Sequence, residues 1–230
     1  MHERPLTAAE IKRHERAGQW GLVRAWTGDE AHPGKLDGTV GYGDGRFGFG
    51  YSLGGHGHIA VPSAAALDLD RFTLAAWLKV GAKVPHHFAI FAKEDHHSGA
   101  PWNDRNFYLG VSPEFVLGDV GVTLFAPGSR VGAKAAVHDG RWHHVAATFD
   151  GNLARIYVDG KELAKGPMKT PPVGDRQSPW VGGYGRAAQP LRAMLDLDDA
   201  AIFDRALRPS QIAQLADPKG DLAAGAKRVD

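Results

Sequence analysis

The chain has 230 residues, 43% of them hydrophobic and 23% charged, and its formal net charge is +1. This composition is ordinary for a globular protein, and the absence of a clustered basic face argues against a nucleic-acid partner. The sequence contains no cysteine, which excludes disulfides and thiol chemistry. No apolar run is long enough to form a membrane-spanning helix, so we expect no membrane insertion.

Residues 1–19 are predicted to form a helical extension. Thr7 and Glu10 fit a capping box, in which each side chain accepts a backbone N–H of the first turn, and Gly18 follows as a stop signal. The predicted helix therefore covers residues 8–17. The segment has no apolar core, so we predict no signal peptide in this chain.

Residues 20–216 are predicted to form one domain of short strands, and residues 217–230 a polar tail. Residues 27–50 are rich in Gly, Asp and Pro and predict mainly loops, with a short strand near Thr39. Beyond them, apolar and polar residues alternate between turn signals. The strands are predicted at 51–53, 58–61, 71–80, 88–93, 106–111, 120–125, 143–149, 154–159, 179–182 and 197–203. This spacing predicts an all-β fold, a two-sheet antiparallel jelly-roll sandwich, with a C-terminal helix from Pro209 in addition to the N-terminal one.

The clearest single element is a β-hairpin between Trp142 and Lys161. Two alternating runs flank Asp150-Gly151-Asn152, and the second run ends on Asp159-Gly160, a turn sequence. One face of the hairpin is apolar and predicts core. The opposite face carries Trp142, His144, Arg155 and Tyr157, with Trp77 and Lys79 beside them if that strand joins the same sheet. Such a face is either a sugar platform or a surface covered by the N-terminal segment and long loops.

Five segments follow one another in a recognisable order. They are GLVRAWTGDE, GRFGFGYSLGGHGHIAVP, LDLDRFTLAAWLKV, WHHVAATFDGNLARIYVDGK and LDLDDAAIFDRALRPSQIAQL. Together they resemble the laminin-G-like branch of the concanavalin A-like lectin/glucanase superfamily over residues 20–216. The resemblance implies a jelly-roll sandwich, an extracellular or cell-surface location, and a module that binds glycans or proteins.

The resemblance also makes a structural Ca²⁺ a candidate cofactor. Asp198 and Asp199 are the candidate ligands, with Asp44 as a further acid, because Ca²⁺ requires six to eight oxygen ligands. Where the family usually has an aspartate, this chain has Gly54, which offers no carboxylate. The alternative is that these acids pair with arginines or accept hydrogen bonds from loop amides.

The segment His96–Gly110 is the predicted ligand-binding loop. It contains Trp102, Asn103, Asp104 and Arg105. An aromatic ring can stack on the C–H face of a sugar, while amide, carboxylate and guanidinium groups bind its hydroxyls. Tyr184 and Arg186 are predicted as neighbours of this loop. The alternative is a long loop that one tryptophan pins over the edge of the core.

An enzyme on the same fold is the alternative function. Asp196 and Asp198 stand at alternate positions of one strand, as the acids of a glucanase would, but a third acid is missing and the run contains no glutamate. Tyr184 and Arg186 supply residue types that a lyase needs. We therefore predict a non-catalytic module with a glycan as the first ligand class and a protein as the second, and a polysaccharide hydrolase or lyase as the alternative.

Overall fold

The computed structural model describes residues 19–28, 34–81, 87–94, 105–116, 119–126, 128–171, 178–183 and 191–218. The elements in these ranges are β1 (Leu22–Trp26), β2 (Lys35–Asp44), β3 (Phe49–Ala60), a 3-10 turn (Ala65–Leu67), β4 (Phe72–Val80), β5 (Phe88–Glu94), β6 (Arg105–Val116), β7 (Asp119–Ala126), β8 (Ser129–Lys134), β9 (Trp142–Phe149), β10 (Leu153–Val158), β11 (Lys161–Pro167), β12 (Trp180–Val181), β13 (Leu191–Phe203) and α1 (Pro209–Leu215). The N-terminal helix predicted over residues 8–17 lies outside the described residues, as does the tail from residue 219.

All of these strands pair antiparallel in one sheet. The order is β11-β10-β9-β4-β13-β3-β12-β5-β6-β7-β8, with β1 paired to β13 and β2 paired to β3. The two end strands of this order, β8 and β11, contact each other, so the sheet nearly closes on itself. The predicted all-β fold is confirmed. The division into two separate sheets stays a prediction.

The inner face of the sheet holds the main hydrophobic core. Alternation along a strand puts every second side chain inside, and on β4 this buries Phe72, Leu74 and Leu78 completely, as the pattern predicts. The Phe72 ring lies 5.3 Å from the Phe107 ring and 5.6 Å from the Phe149 ring. Tilted ring pairs of this kind contribute about 1 kcal/mol each beyond their buried area. They join β4, β6 and β9 across the interior.

Strands β9 and β10 form the predicted hairpin. One aspartate stabilises the turn between these strands, and another lies in the turn that follows β10. The Asp150 carboxylate accepts hydrogen bonds from the backbone N–H of Leu153 at 2.8 Å and of Asn152 at 3.1 Å. These hydrogen bonds lower the pKa of Asp150 below its ordinary value, and the bond from Leu153 has the largest effect. At the β10–β11 turn, Asp159 and Gly160 adopt φ of 49° and 77°. Positive φ at both central residues is what a type I′ hairpin turn requires.

The outer face of β4, β9 and β10 is partly covered. Tyr157 and Phe203 pack there against Ile212 of α1 and form a second apolar cluster. His144 is only 2% exposed and Tyr157 is fully buried. The platform interpretation is therefore wrong for His144 and Tyr157, and the alternative of a covered surface applies to them. Trp142, at the start of β9, stays partly exposed.

The sequence analysis shortened one strand and missed others. The short strand predicted near Thr39 lies within β2, a strand of ten residues paired to β3, so the prediction of mainly loops is wrong for residues 35–44. The strands β8 and β11 were missed, and they lie at the two ends of the strand order. In β2 few side chains are buried and three of the ten residues are glycines, so the alternation of apolar residues is weak.

The C-terminal helix is confirmed. Pro209 occupies its first turn, and the Gln211 side chain accepts a hydrogen bond from the Arg208 N–H at 2.9 Å. Gln211 thus stabilises a helix start that has no Ser, Thr, Asp or Asn at its N-cap. Within the described ranges, no helix has the length and apolar character needed to cross a membrane.

Candidate functional site

The predicted ligand-binding residues fall largely outside the described part of the chain. Trp102, Asn103, Asp104, Tyr184 and Arg186 all lie in segments that the structure does not describe. Arg105 begins β6, where its backbone pairs with that of Glu94. Residues 105–110 therefore belong to a strand and not to the predicted loop, which stays a prediction over residues 96–104.

The acids predicted as metal ligands do not converge in the described structure. Asp198 is completely buried on the outer face of β13. Its Oδ1 accepts a hydrogen bond from the Asp199 N–H at 2.7 Å, and its Oδ2 accepts one from the Phe47 N–H at 2.8 Å. Asp44, the last residue of β2, is exposed. The Asp198 carboxylate thus ties the β2–β3 turn to β13.

The fit of these residues to Ca²⁺ is poor. Both Asp198 oxygens already accept backbone N–H groups, and among the described residues no three His, Asp or Glu side chains form a cluster that could hold a metal. Ca²⁺ needs six to eight oxygens. Asp199 adopts φ of 45° beside an irregularity in the β13–β4 pairing, a conformation that follows from this local bulge. A calcium site here would need further oxygen ligands, such as backbone carbonyls or water.

Strand register brings five residues into one line on the outer face of the sheet. Trp142 of β9 stands opposite Lys79 of β4, Lys79 opposite Asp196 of β13, Asp196 opposite Ser52 of β3, and Ser52 opposite Gly41 of β2. We call this line the open row. All five residues are at least partly exposed. The row therefore places an aromatic ring, an ammonium, a carboxylate and a hydroxyl side by side on one accessible surface.

Contacts within the open row orient its side chains. Lys79 Nζ lies 3.3 Å from Asp196 Oδ2 and 6.0 Å from the centroid of the Trp142 ring. The Lys79 side chain is 42% exposed and that of Asp196 28% exposed, so the ion pair adds little to stability. Both groups can still reach a ligand, the ammonium as a donor and the carboxylate as an acceptor.

The β2–β3 turn forms a wall along one side of the open row. Phe47 meets Trp77 edge-on with the ring centroids 5.9 Å apart, and the Arg46 guanidinium lies 5.0 Å from both ring centroids. Arg46 Nη2 also donates to the Pro218 carbonyl at 2.8 Å. These contacts cover the neighbouring line of residues, in which Trp77 pairs with His144 and Asp198. The open row is thus bounded on this side.

A histidine clamp fixes the strand end that carries Trp142. His143 Nδ1 lies 2.9 Å from Asp159 Oδ2, and its Nε2 lies 3.0 Å from Asp139 Oδ1. Partial burial lowers the pKa of His143, but the hydrogen bonds and charges of Asp159 and Asp139 outweigh it and raise the pKa above its ordinary value. Because both ring nitrogens face carboxylates, the protonated imidazolium satisfies both contacts. The clamp ties the start of β9 to the β10–β11 turn.

A small pocket lies beneath β1 and α1, on the far side of Trp77 from the open row. Its free interior is about 40 Å³. Thr27, Trp77, His144 and Asp199 contribute polar groups to a lining that is otherwise apolar, and Trp77 Nε1 is buried without a hydrogen-bond partner in the described structure. This interior has room for one or two waters and is too small for a sugar ring.

Asp196 and Asp198 do not form the carboxylate pair of a retaining glycosidase. Asp196 and Asp198 share the outer face of β13, as predicted, but Asp198 is buried and holds two amides. A retaining glycosidase needs two carboxyls about 5–5.5 Å apart that both reach the substrate. The sequence indicated Trp142 and Lys79 as face partners but missed Asp196 and Ser52 as members of this site, because the strand order that joins them is not written in any local pattern.

The family assignment follows from a match over most of the chain. Residues 53–213 match a laminin G family model described as concanavalin A-like lectin/glucanases superfamily. The chain belongs to this superfamily. The resemblance seen in its sequence is thereby confirmed.

Similar proteins differ widely in context. Human pentraxin-4 is 26% identical over an alignment of 160 residues that covers 64% of this chain and 31% of pentraxin-4. The chain thus spans about a third of the length of this curated relative. Domain 4 of AbnA, an extracellular arabinanase from Geobacillus stearothermophilus, in complex with arabinotriose, has a TM-score of 0.61 at 21% identity and covers 85% of this chain and 87% of that one. The binding domain of botulinum neurotoxin DC, in complex with SialylT, has a TM-score of 0.62 at 14% identity. The match covers 85% of this chain and 50% of that one. At these identities the two structures show a shared fold.

Proposed function

We propose that this protein is a non-catalytic module that binds a glycan at the open row. The observation that carries the proposal is the line formed by Trp142, Lys79, Asp196 and Ser52 on four neighbouring strands. The partly exposed Trp142 ring can stack on the C–H face of a sugar. The three polar side chains then supply donors and acceptors for its hydroxyls. A protein ligand is the second candidate of the same proposal.

Two comparisons support a glycan as the ligand class. The arabinanase domain of similar fold was solved with arabinotriose, and the neurotoxin binding domain with SialylT. The arabinanase is an extracellular enzyme, which supports an extracellular location for this module as well. We also propose that the strands form the two packed layers of a jelly roll, and the contact between the Phe72 ring of β4 and the Phe107 ring of β6, two strands that are not neighbours in the sheet order, supports this.

Trp142→Ala tests the proposal directly. The wild-type protein is screened on a glycan array that includes arabino-oligosaccharides, β-glucans and sialylated glycans, and affinity for the bound glycan is measured by calorimetry. We expect Trp142→Ala to weaken binding at least tenfold, a loss of about 1.4 kcal/mol, because it removes the ring on which the sugar stacks. Phe49→Ala is the matched control, since Phe49 is a 42% exposed aromatic outside the row.

The outcomes separate the open row from the predicted loop. Equal losses for Trp142→Ala and Phe49→Ala, or an array without any bound glycan, would overturn the proposal. The residues Trp102, Asn103, Asp104 and Arg105, with Tyr184 and Arg186 beside them, are proposed as additional contacts. Loss of binding in Trp102→Ala with full binding in Trp142→Ala would assign recognition to the loop instead of the row.

A structural Ca²⁺ held by Asp198, Asp199 and Asp44 stays a separate proposal. The family resemblance supports it, whereas the hydrogen bonds that the Asp198 carboxylate accepts from two backbone N–H groups oppose it. A ligand that binds only the folded state raises the melting temperature. If calcium is bound, the melting temperature falls by several degrees in excess chelator and recovers when CaCl₂ is added. An unchanged melting curve removes the metal from the description of this protein.

A further inference from the structure

We infer that the glycan at the open row is a neutral linear oligosaccharide that crosses the strands from β9 to β2, and not a single terminal sugar. This inference rests on the proposed function and names its ligand class. Neighbouring strands lie about 4.8 Å apart, so the four intervals from Trp142 to Gly41 span roughly 19 Å. One sugar ring is much shorter than this. Groups able to contact sugar nevertheless continue along the whole line.

The β2 end of the row has the shape that a passing chain needs. Gly41 does not adopt the left-handed backbone conformation that favours glycine, and a Cβ at this position would meet only the Ser52 carbonyl oxygen, at 3.9 Å. Neither backbone nor packing therefore explains the glycine. A glycine inside a strand weakens it, and such a glycine often marks the close approach of a ligand. Here it leaves the floor flat beside Ser52.

The wall fixes the direction in which the ligand lies. Arg46 and Phe47 stand over Trp77 in the neighbouring line and close that side of the row. A ligand that stacks on Trp142 can therefore extend along the row, over Lys79, Asp196 and Ser52 towards β2.

The charges of the row favour neutral sugars. Lys79 Nζ and Asp196 Oδ2 are 3.3 Å apart and neutralise each other at the centre of the row. Such a pair can donate to one hydroxyl and accept from the next. An acidic sugar gains no net attraction from this neutral pair, because Asp196 repels its carboxylate while Lys79 attracts it.

The test uses ligand length and one substitution. Calorimetry compares arabinobiose with arabinohexaose, cellobiose with cellohexaose, and the same two lengths of the glycan that binds most strongly on the array. We expect the six-unit chain to bind at least tenfold more tightly than the two-unit chain of the same series. Gly41→Val should remove most of this gain and leave the two-unit affinity within twofold of wild type.

Gly43→Val is the matched control for Gly41→Val. A Cβ at Gly43 has nothing within 4 Å, and Gly43 pairs with Gly50 beside the covered line. Both variants should melt at or above the wild-type temperature, since neither added Cβ meets a close contact and valine favours strands more than glycine does. Gly43→Val should change the affinity at most twofold.

The outcomes distinguish this inference from the proposed function. If Trp142→Ala abolishes binding but both lengths bind equally, or if Gly41→Val keeps the six-unit affinity, the module binds glycan but not as a crossing chain. Tenfold preference for polygalacturonate or sialyllactose over neutral glycans would overturn the assignment of neutral sugars. Absence of any Trp142-dependent binding would instead refute the proposed function itself.

Discussion

Asp198→Asn tests what the buried carboxylate of β13 does. In the wild type its two oxygens accept the N–H groups of Asp199 at 2.7 Å and Phe47 at 2.8 Å. Asparagine keeps one acceptor oxygen but presents an NH₂ group to the second amide, so one bond is lost and two donors face each other away from water. A hydrogen bond to a charged acceptor contributes about 1.5–3 kcal/mol, and an unsatisfied buried donor costs a comparable amount. We therefore expect Asp198→Asn to lower the free energy of unfolding by roughly 3 kcal/mol.

Urea denaturation followed by tryptophan fluorescence measures this loss, and a thermal melt should show it as a drop of roughly 6–12 °C for a chain of this size. The matched control is Asp196→Asn, the same substitution two residues away on the same strand and face. Within the described part of the chain Asp196 makes a part-exposed ion pair with Lys79, so its substitution should cost about 0–1 kcal/mol.

The two variants together test whether the buried Asp198 carboxylate holds the β2–β3 turn. If Asp198→Asn costs no more than Asp196→Asn, the buried carboxylate does not hold the β2–β3 turn. If wild-type stability falls on chelation and that of Asp198→Asn does not, the Asp198 oxygens bind a cation and not the amides. Weaker glycan binding by Asp198→Asn is also expected, since the turn that it anchors carries Phe47 of the wall.

Two further predictions concern stability. Lys93 is 1% exposed, and its ammonium contacts the Asp68 carboxylate and the Leu67 carbonyl. Asp68→Ala removes this carboxylate from the buried ammonium and should lower the free energy of unfolding, measured in urea, by about 3–5 kcal/mol. Lys93→Met removes the buried charge itself and should cost less. Equal losses for these two variants would mean that the charge is not the cause. His143 has a raised folded-state pKa, so its clamp contributes fully below the unfolded value of about 6.5 and is lost as the pH rises through the folded-state pKa. The stability difference between wild type and His143→Gln should therefore shrink from pH 6 to pH 8.5, and a difference that grows with pH would contradict this sign.

Local patterns determined much of the fold. The turn pairs Asp150-Gly151 and Asp159-Gly160 predicted both ends of β10. They could do so because positive φ and hydrogen bonds between a side chain and the nearby backbone depend on only a few adjacent residues. Alternation assigned the inner face of β4 correctly, since a strand has a period of two. The edge strand β2 was predicted only as a short stretch near Thr39, because it buries little and contains glycines.

The candidate site required the tertiary structure. Lys79 and Asp196 lie far apart in the chain, and they meet because β13 pairs with β4, which no local pattern specifies. The same holds for His144 and Trp142, which share one face of one strand: the first is buried under the elements that cross it and the second stays accessible. By itself the sequence determined which residues point inward and where the chain turns. Only the order of the strands, and what covers each part of their outer face, decided which side chains form a site, because burial on that face depends on segments that are distant in the chain.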